Sequence, residues 1–158
     1  MTADSAPRLI LASQSPRRAK LLRGLGFTFE TLPADVDERV GIGEEPGAHA
    51  ERLAREKAEA IAATASDALV IGSDTVVVID GDVLGKPADD EDAVRTLLRL
   101  AGREHMVATG VAVVHGSRVH GAVERVTVRF RRFDERTARE YVATGEPLDK
   151  AGAYGIQG

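Results

Sequence analysis

The chain has 158 residues, of which 43% are hydrophobic and 29% charged, a composition typical of a globular protein with a substantial core. Its net charge of −4 and its aromatic content of only 4% argue against nucleic-acid binding, and the lack of cysteine excludes disulfides and thiolate chemistry. The sequence contains no apolar run long enough to span a membrane and does not begin like a signal peptide, so we expect a cytoplasmic protein.

Strand and helix patterns alternate along the chain. The apolar residues 9–12 predict a strand, and Ser15-Pro16 predicts the start of a helix over 16–24, because serine is a good N-cap and proline a good first helical residue. The elements predicted after these are a strand at 27–33, an acidic loop at 34–46, a helix from Pro46 to about residue 64, a strand at 68–79, a return strand through Val83 and Leu84, a helix at 89–100, a hairpin of strands 106–114 and 118–130, a helix from Asp134 to Gly145 and a Gly-rich loop to Gly158. Because two hairpins force antiparallel pairs, the predicted fold is α/β with a mixed sheet and flanking helices.

Two arginines, Arg17 and Arg18, fall in the first turn of the helix that Ser15 caps. The helix dipole is positive at this end and disfavours each cation by roughly 0.3–1 kcal/mol, a penalty that a bound anion would reverse. Free N–H groups, the hydroxyls of Ser13 and Ser15 and the two guanidinium groups could together bind a phosphate. The alternative is a pair of solvated surface arginines, and the local pattern favours neither reading.

Asp74 lies inside an apolar strand pattern, between Val70 and Val78. Aspartate is depleted in strand interiors and costly to bury alone, so its carboxylate needs a cation, a metal ion or several N–H donors. The alternative is an aspartate that caps a turn at the end of the strand.

Two lysines are further candidate site residues. Lys57 lies on the apolar face of the helix that begins at Pro46, where it either extends to solvent or reaches a site. If Asp80-Gly81 forms a two-residue turn, Thr75 and Lys86 face each other across the hairpin. The alternative for Lys86 is an exposed hairpin lysine.

Two further segments carry polar groups suited to a nucleotide. The carboxylates of Asp37 and Glu38 would suit a magnesium ion beside a phosphate site, or would belong to a solvated acidic loop. Gln157, in the Gly-rich tail, offers donors and an acceptor to a base edge, unless the tail is simply a flexible end.

Five motifs occur in order along the chain: Ala-Ser-Gln-Ser-Pro-Arg-Arg at 12–18, Glu-Lys-Ala at 56–58, Gly-Ser-Asp-Thr at 72–75, Leu-Gly-Lys-Pro at 84–87 and Asp-Lys-Ala-Gly-Ala-Tyr-Gly-Ile-Gln-Gly at 149–158. Together they resemble the Maf family of nucleoside triphosphate pyrophosphatases, over essentially the whole chain. The resemblance implies a metal-dependent enzyme that cuts a nucleoside triphosphate to the monophosphate and pyrophosphate. It also implies two lobes around a central cleft, often in a homodimer.

The resemblance implies roles for single residues. Asp74 would accept a proton or bind the metal, and Glu38 would help to bind this divalent cation, Mg²⁺ or Mn²⁺. The residues implied to hold the triphosphate are Ser13, Arg17, Arg18, Lys57 and Lys86. The trio of Arg17, Thr75 and Gln157 resembles the subgroup that acts on dTTP and UTP.

The resemblance predicts one Maf-like domain over residues 1–158 and implies further C-terminal strands in family members that this sequence does not include. It also links the family to the removal of modified nucleotides and to arrest of cell division. A second hypothesis is therefore a nucleotide-binding regulator of cell division with little catalysis. A third is a destabilised remnant that binds nothing well.

Overall fold

Six strands and four helices alternate within residues 6–155, the part of the chain that the computed structural model describes. This alternation confirms the predicted α/β class. The elements in chain order are β1 (Leu9–Leu11), α1 (Pro16–Gly24), β2 (Glu30–Thr31), α2 (Pro46–Ala62), β3 (Leu69–Ile79), β4 (Asp82–Leu84), α3 (Asp90–Leu100), β5 (Glu104–His115), β6 (Arg118–Arg129), α4 (Glu135–Ala143) and two short 3-10 turns (Glu146–Asp149 and Ala151–Ala153).

The strands form one mixed sheet, as the sequence predicts. They pair in the order β2-β1-β3-β5-β6, and β4 pairs with β3 off this path. Strand β1 is parallel to both β2 and β3, whereas β3 and β4 are antiparallel. The turn at Asp80-Gly81 brings Ile79 opposite Asp82, which confirms the predicted two-residue hairpin.

Side-chain caps explain where the helices begin. Ser15, Asp89 and Asp134 each accept a backbone N–H from the first turn of α1, α3 and α4, and Glu45 does the same for α2. Pro16 and Pro46 occupy the first positions of α1 and α2, where a missing N–H costs nothing. Within residues 6–155, no helix is both long and apolar enough to cross a membrane.

The chain divides into two compact units, each with its own core. Unit 1 comprises Met1–Asp74 and Thr109–Val123, and unit 2 comprises Thr75–Ala108 and Glu124–Gly158, in both cases as far as residues 6–155 describe them. In unit 1, Ile10 and Val70 of the sheet belong to one cluster with Ala58 of α2. In unit 2, the buried residues of the core cluster include Val94, Leu97, Ala138 and Val142, from helices α3 and α4.

Two predicted segments differ from the structure. The second strand, predicted at 27–33, is confined to Glu30–Thr31, because it pairs in parallel with only Ile10 and Leu11 of the short β1. The described part of the predicted C-terminal loop contains two 3-10 turns. Gly152 has a φ of 71° there and lies so close to Val77 that a Cβ would be 2.8 Å from its side chain. Packing therefore orders a segment that glycine content alone marks as a loop.

Candidate active site

Asp74 lies in the interior of β3, and its side chain is 12% exposed. One carboxylate oxygen, Oδ1, accepts a hydrogen bond from Lys57 Nζ at 3.0 Å. The buried carboxylate thus has the cation that its position requires. The alternative reading, an aspartate that caps a turn at the end of the strand, is wrong.

The second oxygen of this carboxylate is available for chemistry. Asp74 Oδ2 makes no hydrogen bond to any residue in the described range 6–155. Asp74 Oδ2 is also accessible to solvent. Among the described residues, the only fully buried side-chain nitrogen or oxygen without a hydrogen-bond partner is His105 Nδ1, so the unpaired Oδ2 is not fully buried. Asp74 can therefore accept a proton or ligate a cation while it keeps its bond to Lys57.

Two glycines let helix α2 lie directly on the sheet and so place Lys57. A Cβ added to Gly72 would lie 2.0 Å from the carbonyl oxygen of Ala54, and one added to Gly110 would lie 2.4 Å from the carbonyl carbon of Ala50. Only glycine permits such a close approach of two backbones. Because α2 lies this near, the Lys57 side chain, 11% exposed, reaches the carboxylate on β3 instead of extending to solvent.

A second carboxylate reaches the same lysine from the loop between β2 and α2. Glu38 Oε1 lies 2.9 Å from Lys57 Nζ, and the Glu38 side chain is 56% exposed. The neighbouring Asp37 is instead exposed and paired with Arg39, whose guanidinium lowers the pKa of Asp37 to about 2. Of these two acidic residues, only Glu38 belongs to the site.

The N-terminus of α1 contributes an arginine that is bonded to the sheet. The Arg18 guanidinium donates to the carbonyl oxygen of Ser73 at 3.1 Å and to Ser13 Oγ at 3.3 Å. Ser13 Oγ also accepts the backbone N–H of Ser15 at 3.1 Å, and Ser15 Oγ accepts that of Arg18. Burial lowers the pKa of Arg18, and the negative charge of Asp74 opposes this shift.

These contacts exclude the solvated-surface reading for Arg18 but do not decide between the two readings for Arg17. Arg18 is not a solvated surface arginine, since it is bonded to the residue that precedes Asp74. Arg17 is half-buried, and no hydrogen bond or ion pair joins its side chain to another residue in the described part of the chain. The structure thus brings Ser13, Ser15 and Arg18 together in unit 1, and it leaves the Arg17 guanidinium available for an anion.

The remaining predicted residues lie in unit 2 or outside the described residues. Extending the register that pairs Val77 with Leu84 places Thr75 opposite Lys86, but β4 ends at Leu84 and Lys86 is an exposed loop residue. Gln157 lies outside the described residues. The predicted binding roles of Thr75, Lys86 and Gln157 stay predictions, as do the central cleft and the homodimer.

The donor set for a metal ion is small. No group of three or more histidine, aspartate or glutamate side chains that could hold a metal occurs within residues 6–155. Two carboxylates, those of Asp74 and Glu38, do converge on the one nitrogen of Lys57. This set fits Mg²⁺, which is usually bound through one or two carboxylates together with substrate phosphates.

Some residues of the site were missed by sequence reasoning. Ser73 donates through Oγ to the carbonyl oxygen of Gly110 at 3.0 Å and so links the strand of Asp74 to β5. Arg52 and Glu44 form a hydrogen-bonded network that joins α2 to the loop bearing Glu38. The glycine at position 72, inside a strand pattern, is a sequence signal of close backbone approach. The sequence carries no such signal for the contact between Arg52 and Glu44, because Glu44 lies in an irregular loop.

Comparisons with known proteins show which family and which relatives this chain is similar to. The sequence model of a family described as "Maf-like protein" matches residues 8–158. A protein named dTTP/UTP pyrophosphatase from Symbiobacterium thermophilum is 50% identical over 151 residues, which cover 96% of this chain and 78% of the relative. Proteins of the same name from Moorella thermoacetica and Vibrio cholerae are 52% and 48% identical, each over 96% of this chain and over 79% and 81% of the relative.

Proposed function

This chain belongs to the Maf-like protein family, and we propose that it is a nucleoside triphosphate pyrophosphatase that hydrolyses dTTP and UTP to the monophosphate and pyrophosphate. One observation carries the proposal: Lys57 Nζ lies within 3.0 Å of carboxylate oxygens of both Asp74 and Glu38, beside an arginine tethered to Ser73. Relatives that share about half of its residues bear the name of this activity.

Asp74 is proposed to act on the attacking water. The water oxygen forms a bond to the α-phosphorus, the bond from that phosphorus to the oxygen bridging to the β-phosphate breaks, and pyrophosphate leaves with the electron pair. The proton lost by the water passes to Asp74, whose Oδ2 has no hydrogen-bond partner in the described part of the chain. The hydrogen bond from Lys57 orients the carboxylate toward this task.

The cationic groups are proposed to hold the triphosphate. The N-terminus of α1 offers backbone N–H groups and the dipole, and Arg17 and Arg18 offer planar forks that fit phosphate oxygens. Lys86 is proposed to stabilise the departing pyrophosphate, and Thr75 and Gln157 to set the preference for a thymine or uracil base. These three roles rest on the family resemblance.

A divalent cation is proposed to be held by Asp74 and Glu38 together with the phosphates. When bound, such a cation neutralises phosphate charge and polarises the reacting phosphoryl group. Asp74 would then offer one carboxylate oxygen to the cation or to the water, and Glu38 would offer a carboxylate oxygen to the cation. Mg²⁺ and Mn²⁺ are both of the chemical class that carboxylate and phosphate oxygens select.

The test is pyrophosphate release by this 158-residue chain from a panel of nucleoside triphosphates, first with Mg²⁺ and then with Mn²⁺. We expect release to be fastest with dTTP and UTP and to stop when the metal is chelated. A folded sample that releases no pyrophosphate from any nucleotide contradicts the proposal. Saturable nucleotide binding without release would instead support a regulator that binds nucleotide without catalysis.

A further inference from the structure

The loop between β2 and α2 carries Glu38 but has little structure of its own. No helix or strand occurs between Thr31 and Pro46, and the Glu38 side chain is more than half exposed. Long irregular loops open locally at low free energy unless something ties them down. A carboxylate that must meet Lys57 within 3.0 Å therefore depends on contacts made elsewhere in the loop.

Arg52 of α2 supplies those contacts. Its Nη2 donates to the backbone carbonyl oxygen of Arg39 at 3.0 Å, one residue after Glu38. Its Nε and Nη2 also donate to the two carboxylate oxygens of Glu44, at 2.8 and 3.0 Å. One guanidinium thus binds the loop at two points, next to Glu38 and close to the start of α2.

The loop side of this contact is itself organised. Glu44 Oε1 accepts the backbone N–H of Gly41 at 3.1 Å and lies 2.9 Å from Nδ1 of the buried His49. The Arg52 guanidinium, as the main cause, holds the pKa of Glu44 at about 2, so this carboxylate stays ionised at neutral pH. The remaining nitrogen of Arg52, Nη1, donates to Glu56 at 3.1 Å, so that all three nitrogens of the guanidinium are engaged.

We propose that Arg52 is a positioning residue for catalysis, which fixes the loop from Asp37 to Glu44 on α2 and thereby presents Glu38 to Lys57 and to the divalent cation. This inference rests on the proposed function. Arg52 makes no hydrogen bond to Lys57 or Asp74, and its bonds to described residues outside α2 are those to Arg39 and Glu44 of the loop. A lysine could not replace it, because one ammonium nitrogen cannot reproduce a bidentate contact and a third bond to a carbonyl.

Arg55 provides a matched control on the same helix. Its side chain is 47% exposed and, among residues 6–155, pairs only with Glu59 of the same helix, at 3.7 Å. An Arg55→Gln variant removes the same charge and the same kind of side chain without touching the loop. It should match the unchanged chain in every measurement below.

The first measurement is hydrogen exchange of peptides that cover the loop, in the absence of nucleotide and metal. We expect Arg52→Gln to speed exchange there by about tenfold, while peptides from β1 stay as protected as in the unchanged chain. A Glu44→Gln variant, which weakens the loop side of the same contact, should show the same pattern. If loop exchange is unchanged in both variants, the proposal is overturned, whatever the activity of the enzyme.

The second measurement is the concentration of Mg²⁺ that half-saturates pyrophosphate release. Loss of a residue that orients a metal ligand costs about 10–100-fold in metal affinity, so we expect a rise of at least about tenfold in Arg52→Gln. If Arg52 acts through Glu38, Glu38→Gln and the double variant should have the same requirement for Mg²⁺. If the effects of the two substitutions on the Mg²⁺ requirement are additive, the positioning role is overturned. If the unchanged chain releases no pyrophosphate, the proposed function is overturned. This result is distinct from unchanged loop exchange and from additive effects on the Mg²⁺ requirement.

Discussion

A Gly72→Ala substitution would place a methyl group where the backbone of α2 lies. The added carbon would be 2.0 Å from the carbonyl oxygen of Ala54 and 2.9 Å from the nitrogen of Ala58. An ordinary carbon-to-oxygen contact needs about 3.3 Å, so the helix would have to move by about 1.3 Å. Both nearby atoms are backbone, and no side-chain rotation can relieve the overlap.

The cost of this substitution follows from that displacement. Overpacking costs about 1–3 kcal/mol, and the upper end applies because the backbone must move. The lower chain entropy of alanine in the unfolded state offsets about 0.5–1 kcal/mol. We therefore expect a net loss of about 2 kcal/mol, or a fall in melting temperature of about 4–8 °C.

The same displacement should reduce catalysis. Because Lys57 lies on the stretch of α2 that must move, its 3.0 Å contact with Asp74 should lengthen. Misplacement of a catalytic group by about 1 Å can cost about 10²-fold in rate, so kcat/KM for dTTP should fall by about that factor. Gly24→Ala is the control, because a Cβ at this last residue of α1 meets nothing within 4 Å. A Gly72→Ala protein that melts and turns over like the unchanged chain would show that α2 does not have to move.

Three further predictions concern single side chains. Asp74→Asn should lower kcat by about 10²–10⁴-fold with little change in nucleotide affinity, as measured by steady-state kinetics and equilibrium binding, and retained turnover would exclude Asp74 as base or ligand. Lys86→Met should lower kcat/KM for the nucleotide without changing the melting temperature, since Lys86 is exposed and surface substitutions alter stability by less than about 0.5 kcal/mol; an unchanged kcat/KM would contradict its role. Burial holds the pKa of His105 below its ordinary value of 6.5. The neutral ring therefore contributes its full stability above pH 6.5, and this stability is lost as the pH falls from 6.5 toward the lower pKa of the folded state. The melting temperature should therefore fall less in His105→Gln than in the unchanged chain between about pH 7.5 and 5.5, and equal falls would contradict the assignment.

Sequence alone predicted the elements on which Arg18 and Asp74 lie, because both residues belong to regular elements. Ser15 and Pro16 begin α1 where their local preferences place them, and Arg18 follows within the first turn. An aspartate inside an apolar run implies a buried partner, and Lys57 on the apolar face of α2 is that partner. In each case, local propensity and the requirement to pair a buried charge point to the same answer.

Contacts made by the irregular segments could not be predicted in the same way. Asp37 and Glu38 are adjacent acidic residues, and only the path of the loop decides that Glu38 meets Lys57 while Asp37 pairs with Arg39. Arg52 lies off the apolar stripe of α2, where a pattern predicts a solvated charge, yet the loop covers it. No periodicity governs such a loop, and its position follows from tertiary contacts alone.

In the proposed reaction, water attacks the α-phosphorus of dTTP or UTP and pyrophosphate leaves. Hydrolysis of dTTP in ¹⁸O-labelled water, followed by mass spectrometry of the products, tests this most directly. We expect one labelled oxygen in dTMP and none in pyrophosphate. Label in pyrophosphate, or formation of dTDP and inorganic phosphate, would contradict it.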